Sequence, residues 1–443
     1  MHTLALITVF LAAAPPGEGL TLEEATRRAL QDNPLVDAAR GTLDEYEARY
    51  RQVVLAWVPQ VRVDFTGTVL PKMTGNAVEH DTDESVWGPY LRTQATLVQP
   101  VTTFGRLALL KKMAAAGMDV GRAQIRMAED EIRFMTARAY YSLVFASEME
   151  GLIAEGEEFL EKARRRLEEL EEKDADDFDQ VDLLRLRVYE AEVASMRLEA
   201  ARGASLARTS LHLLTGLPEE EIRPSMKHLE TASFDDWDLP RLQALAEGHR
   251  PDLEALRAGV RAMRLGVDVE RRKWAPDVFL LGNMTMAWAP YVENQRSPFA
   301  DDPYNTTLGS GAALGIRWTM DVGGRLAGVD EARAGLRKLE GQLRGMLLKA
   351  RLELAQKLGE AQDARARIEI HKRAYKAGRG WAMAKTDLYE NGLEELKQVI
   401  EGISKFYSTK LAYMDAILRF DLAVAELARA CGVPTSELAP RSL

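Results

Sequence analysis

The chain has 443 residues, 46% of them apolar and 28% charged, with a formal net charge of −10. This is the composition of a folded protein, long enough for two or three ordinary domains or one long repetitive architecture. Its mixed, net-negative charge argues against nucleic-acid binding, which needs clustered cationic surface to displace counterions from phosphate. A lone Cys431 permits no disulfide, zinc cluster or thioredoxin motif.

The first 19 residues, MHTLALITVFLAAAPPGEG, hold an apolar run from Leu4 to Ala14 before a Pro-Pro-Gly break. That run is too short to span a bilayer and has the form of a secretory signal, so residues 1–19 are expected to direct export. No later segment offers ~20 consecutive apolar residues, and no transmembrane helix is predicted.

Beyond the signal the chain is written twice. Trp57-Val58-Pro59 aligns with Trp274-Ala275-Pro276 at an offset of 217, which also places Asn33-Pro34 on Arg250-Pro251. Gly105-Arg106 falls on Gly324-Arg325, and Gly216-Leu217-Pro218 on Gly432-Val433-Pro434. Ordered landmarks at nearly constant offset mark a duplication. We read residues 20–220 as the first repeat, 221–239 as a linker, 240–436 as the second repeat and 437–443 as a tail.

Within each repeat the order is the same. A helical pattern stops at Trp-x-Pro, because proline ends a helix. Two strand-like runs follow, at about 60–70 and 90–99, then at about 277–288 and 308–320. A helical hairpin closes the repeat, at about 106–216 and 325–432. Its proline-free first helix, ~65 residues, would form a rod of roughly 100 Å, far beyond an ordinary globular helix. Apolar positions such as Ile125, Ile132, Met135, Ala139 and Leu143 step by three and four residues, as packed helices require.

The strand-like runs alternate. Val61, Val63, Phe65 and Val69 interleave with Arg62, Asp64, Thr66 and Thr68, while Val278, Leu280, Met284, Met286 and Trp288 share one parity. Each run has the length a tilted strand needs to cross a bilayer. Alternation alone suits a soluble sheet equally well. Aromatics decide between them: Trp57, Trp87, Tyr90, Trp274, Trp288 and Trp318 lie in or beside these runs, as membrane-interface girdles would. Four strands cannot close alone in lipid, so copies must join: two would make a narrow eight-stranded barrel and three a twelve-stranded one, and the trimer is expected. The loops from Pro71 to Pro89 and from Ala289 to Thr307 would face outward.

LVQPVTTFGR, residues 97 to 106, and IRWTMDVGGR, residues 316 to 325, are read as strand-to-helix junctions. Pro100 is expected to end the strand ladder. Gly105 and Gly324 are expected to take the backbone turn ahead of Arg106 and Arg325.

These residues resemble the TolC-like outer-membrane efflux channel family over nearly the whole mature chain. The likeness rests on the duplicated layout, on LVQPVTTFGR, and on the second hairpin from LYENGLEELKQVIEG to its closing Gly432. It implies a homotrimer with a twelve-stranded barrel in outer-membrane lipid and a long periplasmic α-helical tunnel. It also implies a periplasmic adaptor and an inner-membrane pump of the RND or ABC type as partners, and no catalytic activity. Carried over by position, the hairpin turns fall at residues 174–182 and 389–401, with Gly392 matching the turn glycine. These turns, including Tyr389, Glu394 and Glu395, would form the tip and contact the adaptor. The first turn departs from the family by reading Ala175-Asp176-Asp177-Phe178.

Asp174, Asp176, Asp177, Asp179 and Asp182 admit two readings. Carboxylates near a helix N-terminus cap it and oppose its dipole. Repeated around an aperture, they would focus a field that attracts cations. They lack the spacing of a calcium loop. The six histidines are scattered, GSGAALG at 309 to 315 lacks a phosphate-loop spacing and lysine, and no Ser/His/Asp constellation stands out. The sequence therefore points to no catalytic, cofactor or metal site. A periplasmic coiled-coil adaptor or scaffold with a small soluble β-domain is the alternative reading.

Overall fold

A computed structural model describes residues 19–75, 79–173, 179–231, 237–294 and 302–438. The expected signal lies almost entirely outside these residues. The chain divides into two units, one of residues 1–40, 123–254 and 345–443, the other of 41–122 and 255–344.

The second of these units holds one antiparallel sheet. Its strands are β1 (Gln60–Gly75), β2 (His80–Thr102), β3 (Asp277–Trp288) and β4 (Gly309–Arg317), adjacent in that order. β1 and β2 run past the expected limits, because Lys72 to Gly75 pair with His80 to Asp83 beyond a register shift. Helices lead into and out of the sheet: α2 (Pro34–Leu55) and α6 (Pro251–Arg272) enter it, and α3 (Arg106–Glu172) and α7 (Val322–Glu390) leave it. Trp57 and Trp274 follow α2 and α6 where the helical pattern stops.

The other unit is helical. It contains α1 (Leu22–Gln31), α4 (Gln180–Thr215), α5 (Leu239–His249), α8 (Leu396–Cys431) and α9 (Thr435–Leu438), with the larger parts of α3 and α7. Local chemistry sets these boundaries. The Thr21 hydroxyl accepts the Glu24 N–H at 3.1 Å and caps α1, within the Thr-x-x-Glu pattern of a capping box. Asn33 Oδ1 accepts the Leu35 N–H at 3.0 Å, and Pro34 opens α2 where no helical N–H is needed. Arg250-Pro251 occupies the matching place in the second repeat, and there an ion pair stands in for the asparagine. Arg250 donates to Asp252, to Glu353 at 2.9 Å and to the Ala430 carbonyl at 3.0 Å.

Gly432 is required at the end of α8. It adopts φ 73°, and a Cβ there would lie 2.8 Å from both Arg250 Cα and the His249 carbonyl. The main core lies between α3, α4, α5, α7 and α8, around Tyr140, Leu143, Leu211, Leu242, Leu354, Phe420 and Val424. Each fully buried side chain of this size contributes about 1.5–3 kcal/mol of transfer free energy. No helix among the described residues is long and apolar enough to cross a membrane.

Candidate functional site

The strand register sorts the sheet into two chemically distinct faces. Residues directly opposed in an antiparallel ladder point the same way. Val61, Leu97, Gly282 and Ala312 form one cross-strand row, and Val63, Ala95, Met284 and Ser310 the next. Phe65, Thr93 and Met286 continue this face, as do Leu280 and Leu314 beside Gln99. The opposite rows read Arg62, Thr96, Asn283, Gly311 and then Asp64, Gln94, Thr285, Gly309. Among the described residues nothing covers the apolar face: Phe65 is 78% exposed, Leu314 68% and Ile316 69%.

The aromatic residues separate along the strands. Trp87 pairs with Pro71, and Trp288 with Leu91, towards the loop end of the sheet. Tyr90 joins them, its ring edge-on to Tyr304 at 6.1 Å and its hydroxyl donating to the Pro303 carbonyl at 3.2 Å. Trp57, Trp274 and Trp318 flank the helix end. Here the two repeats use different residues for one contact. Gln99 Nε2 donates to the Trp57 carbonyl at 2.6 Å, and Trp318 Nε1 donates to the Trp274 carbonyl at 3.1 Å. In the sequence Trp318 stands out only as an interface aromatic and Gln99 not at all; their shared offset of 219, that of the Gly-Arg pairs, was the available signal for the contact.

At the first junction the chain leaves β2 through Thr103, then through Phe104 and Gly105, both left-handed with φ 49° and 87°. The Thr103 hydroxyl accepts the Leu107 N–H at 3.2 Å and so starts α3. Arg106, the first residue of α3, pairs with Asp277 at the start of β3 at 2.7 Å.

Two expectations are corrected here. Pro100 does not end the ladder: β2 continues to Thr102, and Pro100 sits opposite Phe279 at a register irregularity. Lacking an N–H, it perturbs the pairing without stopping it. Gly324 makes no left-handed turn, since α7 already begins at Val322. The Asp321 carboxylate accepts the Gly324 N–H at 2.9 Å, and a Cβ on Gly324 would strike that carboxylate. Arg325 donates to the Thr319 carbonyl and to the Lys273 carbonyl, and among the described residues it has no carboxylate partner.

At the turns of the helical hairpins, Asp174, Asp176 and Asp177 lie outside the described residues. Asp179 caps α4 by accepting the Val181 N–H at 2.8 Å. Asp182 is 8% exposed and pairs with Arg185 at 3.2 Å. Burial pushes its carboxyl up against the opposing charge of Arg185; Asp179 and Glu395 add to the rise and Lys397 opposes it. Asp182 of the first hairpin therefore feels the charges of Glu395 and Lys397 of the second.

Tyr389 lies beside Arg166 and, with Glu169, raises the pKa of its guanidinium, which pairs with Glu169 at 3.2 Å. Gly392 adopts φ 71°, and the Leu393 N–H returns to the Leu388 carbonyl at 2.9 Å, closing α7 in a Schellman turn. Glu394 pairs with Lys385 at 2.6 Å, whereas Glu395 precedes α8 without capping it and pairs with Lys397. The acids were legible in the sequence, and their basic partners Arg166, Arg185, Lys385 and Lys397 were not singled out. The spacing of Asp182 and Arg185, three residues apart on one helix, was the available cue. Among the described residues no group of three or more His, Cys, Asp or Glu side chains could hold a metal ion.

Residues 242–433 match the family profile described as outer membrane efflux protein. This part of the chain is similar to that family. No curated protein matches the chain at the sequence level. Among solved structures it is similar to the outer-membrane channel OprN, at 19% identity and a TM-score of 0.75, covering 94% of this chain and 90% of that one. It is also similar to the outer membrane protein VceC of Vibrio cholerae, at 17% identity and a TM-score of 0.74, with 94% and 96% covered. The outer-membrane channel MtrE of Neisseria gonorrhoeae matches at 15% identity and a TM-score of 0.71, with 93% and 89% covered. The efflux-protein match lies within the second repeat, and the likeness in fold extends over both.

Proposed function

We propose that the chain is one subunit of a trimeric outer-membrane exit duct, passing substrates from periplasm to exterior for a tripartite efflux pump or type I secretion system. The single observation that carries this reading is the sheet, apolar on one face, polar on the other, and uncovered on its apolar side. A soluble sheet buries such a face against a core, whereas a barrel wall presents it to lipid. Among the described residues β1 and β4 each have one strand neighbour, apart from the bridge of Met73 to Val292, and an open edge is not tolerated in hydrocarbon. Three copies joined through these edges would make twelve strands without a free edge.

Trp57, Trp274 and Trp318 would then stand at the inner interface, with Trp87, Tyr90 and Trp288 at the outer one. The ten steps from Val61 to Pro71 cover roughly 33 Å along the strand, or about 23 Å along the membrane normal at a tilt near 45°. That is close to the height of a barrel's apolar band. The hairpin turns with Asp179, Asp182, Tyr389, Gly392, Glu394 and Glu395 would form the periplasmic tip. There they would meet an adaptor protein and, through it, an RND- or ABC-type inner-membrane pump. Conduction is passive, and the chain performs no catalysis of its own.

The protein purified from outer membranes in detergent should migrate as a trimer when unheated and as a monomer when boiled, and should conduct ions in a planar bilayer. Recovery as a soluble, non-conducting monomer from the periplasm would overturn the reading. The alternative, a periplasmic adaptor with a soluble β-domain, is not favoured, because it leaves the exposed apolar face in water.

A further inference from the structure

The helical unit contains an apolar cavity with no part in the duct, barrel or tip described above. It lies between α3, α4 and α8 and has a volume of about 120 Å³. Leu152, Ile153, Phe159, Val193, Ile400 and Leu411 supply its walls. Gly156 keeps one side open: a Cβ there would approach the Tyr407 ring no closer than 3.9 Å. Ser404 and Tyr407 also reach the lining, and among the described residues neither hydroxyl has a hydrogen-bond partner.

These features define a guest. A void of this size leaves its wall atoms without dispersion partners on one side. Apolar cavities near 150 Å³ stay dry and accept molecules the size of benzene. A stable buried water needs two to four polar partners; here the lining is mostly apolar, with polar side chains at Tyr189 and Glu192 on α4 and at Ser404, Tyr407 and Ser408 on α8, which serves a ring with one polar substituent better. One polar substituent on that ring would satisfy the Ser404 and Tyr407 hydroxyls, which sit on α8 three residues apart and so share a face.

We propose that this cavity is a binding site for a small single-ring aromatic molecule bearing one hydroxyl, of the phenol class. The ring packs against Phe159, Leu152 and Val193, and the hydroxyl exchanges hydrogen bonds with Ser404 and Tyr407. The guest touches α3 and α4 of the first hairpin and α8 of the second, so its binding favours the state in which these helices are packed together. The site depends on the packing of these three helices alone and stands whether or not the chain conducts.

The test uses the full-length protein in detergent with 4-fluorophenol and fluorobenzene as probes, read by fluorine NMR. Wild-type protein should broaden the 4-fluorophenol signal saturably. Gly156→Leu, which fills the void, should abolish that effect, and Gly156→Ala, which adds one methyl at ordinary contact distance, should retain it. Ser404→Ala should weaken 4-fluorophenol about five-fold, the worth of one hydrogen bond, and leave fluorobenzene unchanged. Partition into the micelle is common to all variants. Equal signals from wild type and Gly156→Leu, or equal affinities for the two probes, would overturn the proposal.

Discussion

Asp252 lies 2.8 Å from the Arg250 guanidinium, and Asp182 lies 3.2 Å from Arg185, yet their carboxyls shift in opposite directions. Burial works to raise Asp252, but hydrogen bonds and charge from Arg250 and the Leu253 N–H outweigh it and hold the carboxyl below its usual range. A depressed carboxyl contributes stability above its unfolded value of about 3.9, and that contribution is lost as pH falls through the folded value. Asp252→Asn should therefore lower the stability of the helical unit at pH 7 and converge on wild type near pH 2, as followed by circular dichroism across an acid titration. Asp182 has the reverse sign. Its raised carboxyl favours the folded hairpin turn below about pH 3.9 and loses that contribution as pH rises through the folded value. Asp182→Asn should slow amide exchange at the start of α4 at pH 7, and the difference from wild type should vanish below about pH 4. The sequence shows the acids, but the sign of each shift depends on burial and on Lys397 and Glu395, which belong to the other repeat.

At the scale of elements, the barrel strands were readable because a half-exposed strand stamps its period of two on the residues. Val61, Val63 and Phe65 fall on the uncovered face for that reason. Phe65→Arg should cost about 2–4 kcal/mol if the side chain meets the bilayer midplane, and Arg62→Ala on the opposite face should leave assembly intact. Yields of the unheated oligomer on a gel measure both. What alternation cannot show is a strand that outlives its pattern. His80 to Pro89 carry mostly polar residues without a clean alternation, and their pairing with β1 comes from hairpin geometry. The same limit applies at the junctions. Pro100 looked like a stop because it lacks an N–H, but a strand tolerates one missing donor at an irregular pair. Gly324 looked like a turn by analogy with Gly105, when Asp321, three residues earlier, was already the helix start signal.

For the whole molecule, duplication was the most legible feature, since landmarks at nearly constant offset need no knowledge of contacts. The Arg250 ion pair against the Asn33 cap shows where the copies differ, and that difference follows from what each packs against. The paired contacts of Gln99 and Trp318 carry this further. The two halves make the same bond to a carbonyl with an amide in one and an indole in the other, so this place in the fold calls for a donor and not for a residue type. Gln99→Trp and Trp318→Gln should each be tolerated, with oligomer yield and conductance near wild type, while Gln99→Leu and Trp318→Phe should lower the yield because the carbonyl loses its donor. A protein built from two copies of one part thus carries, inside a single chain, its own record of which substitutions the part can accept.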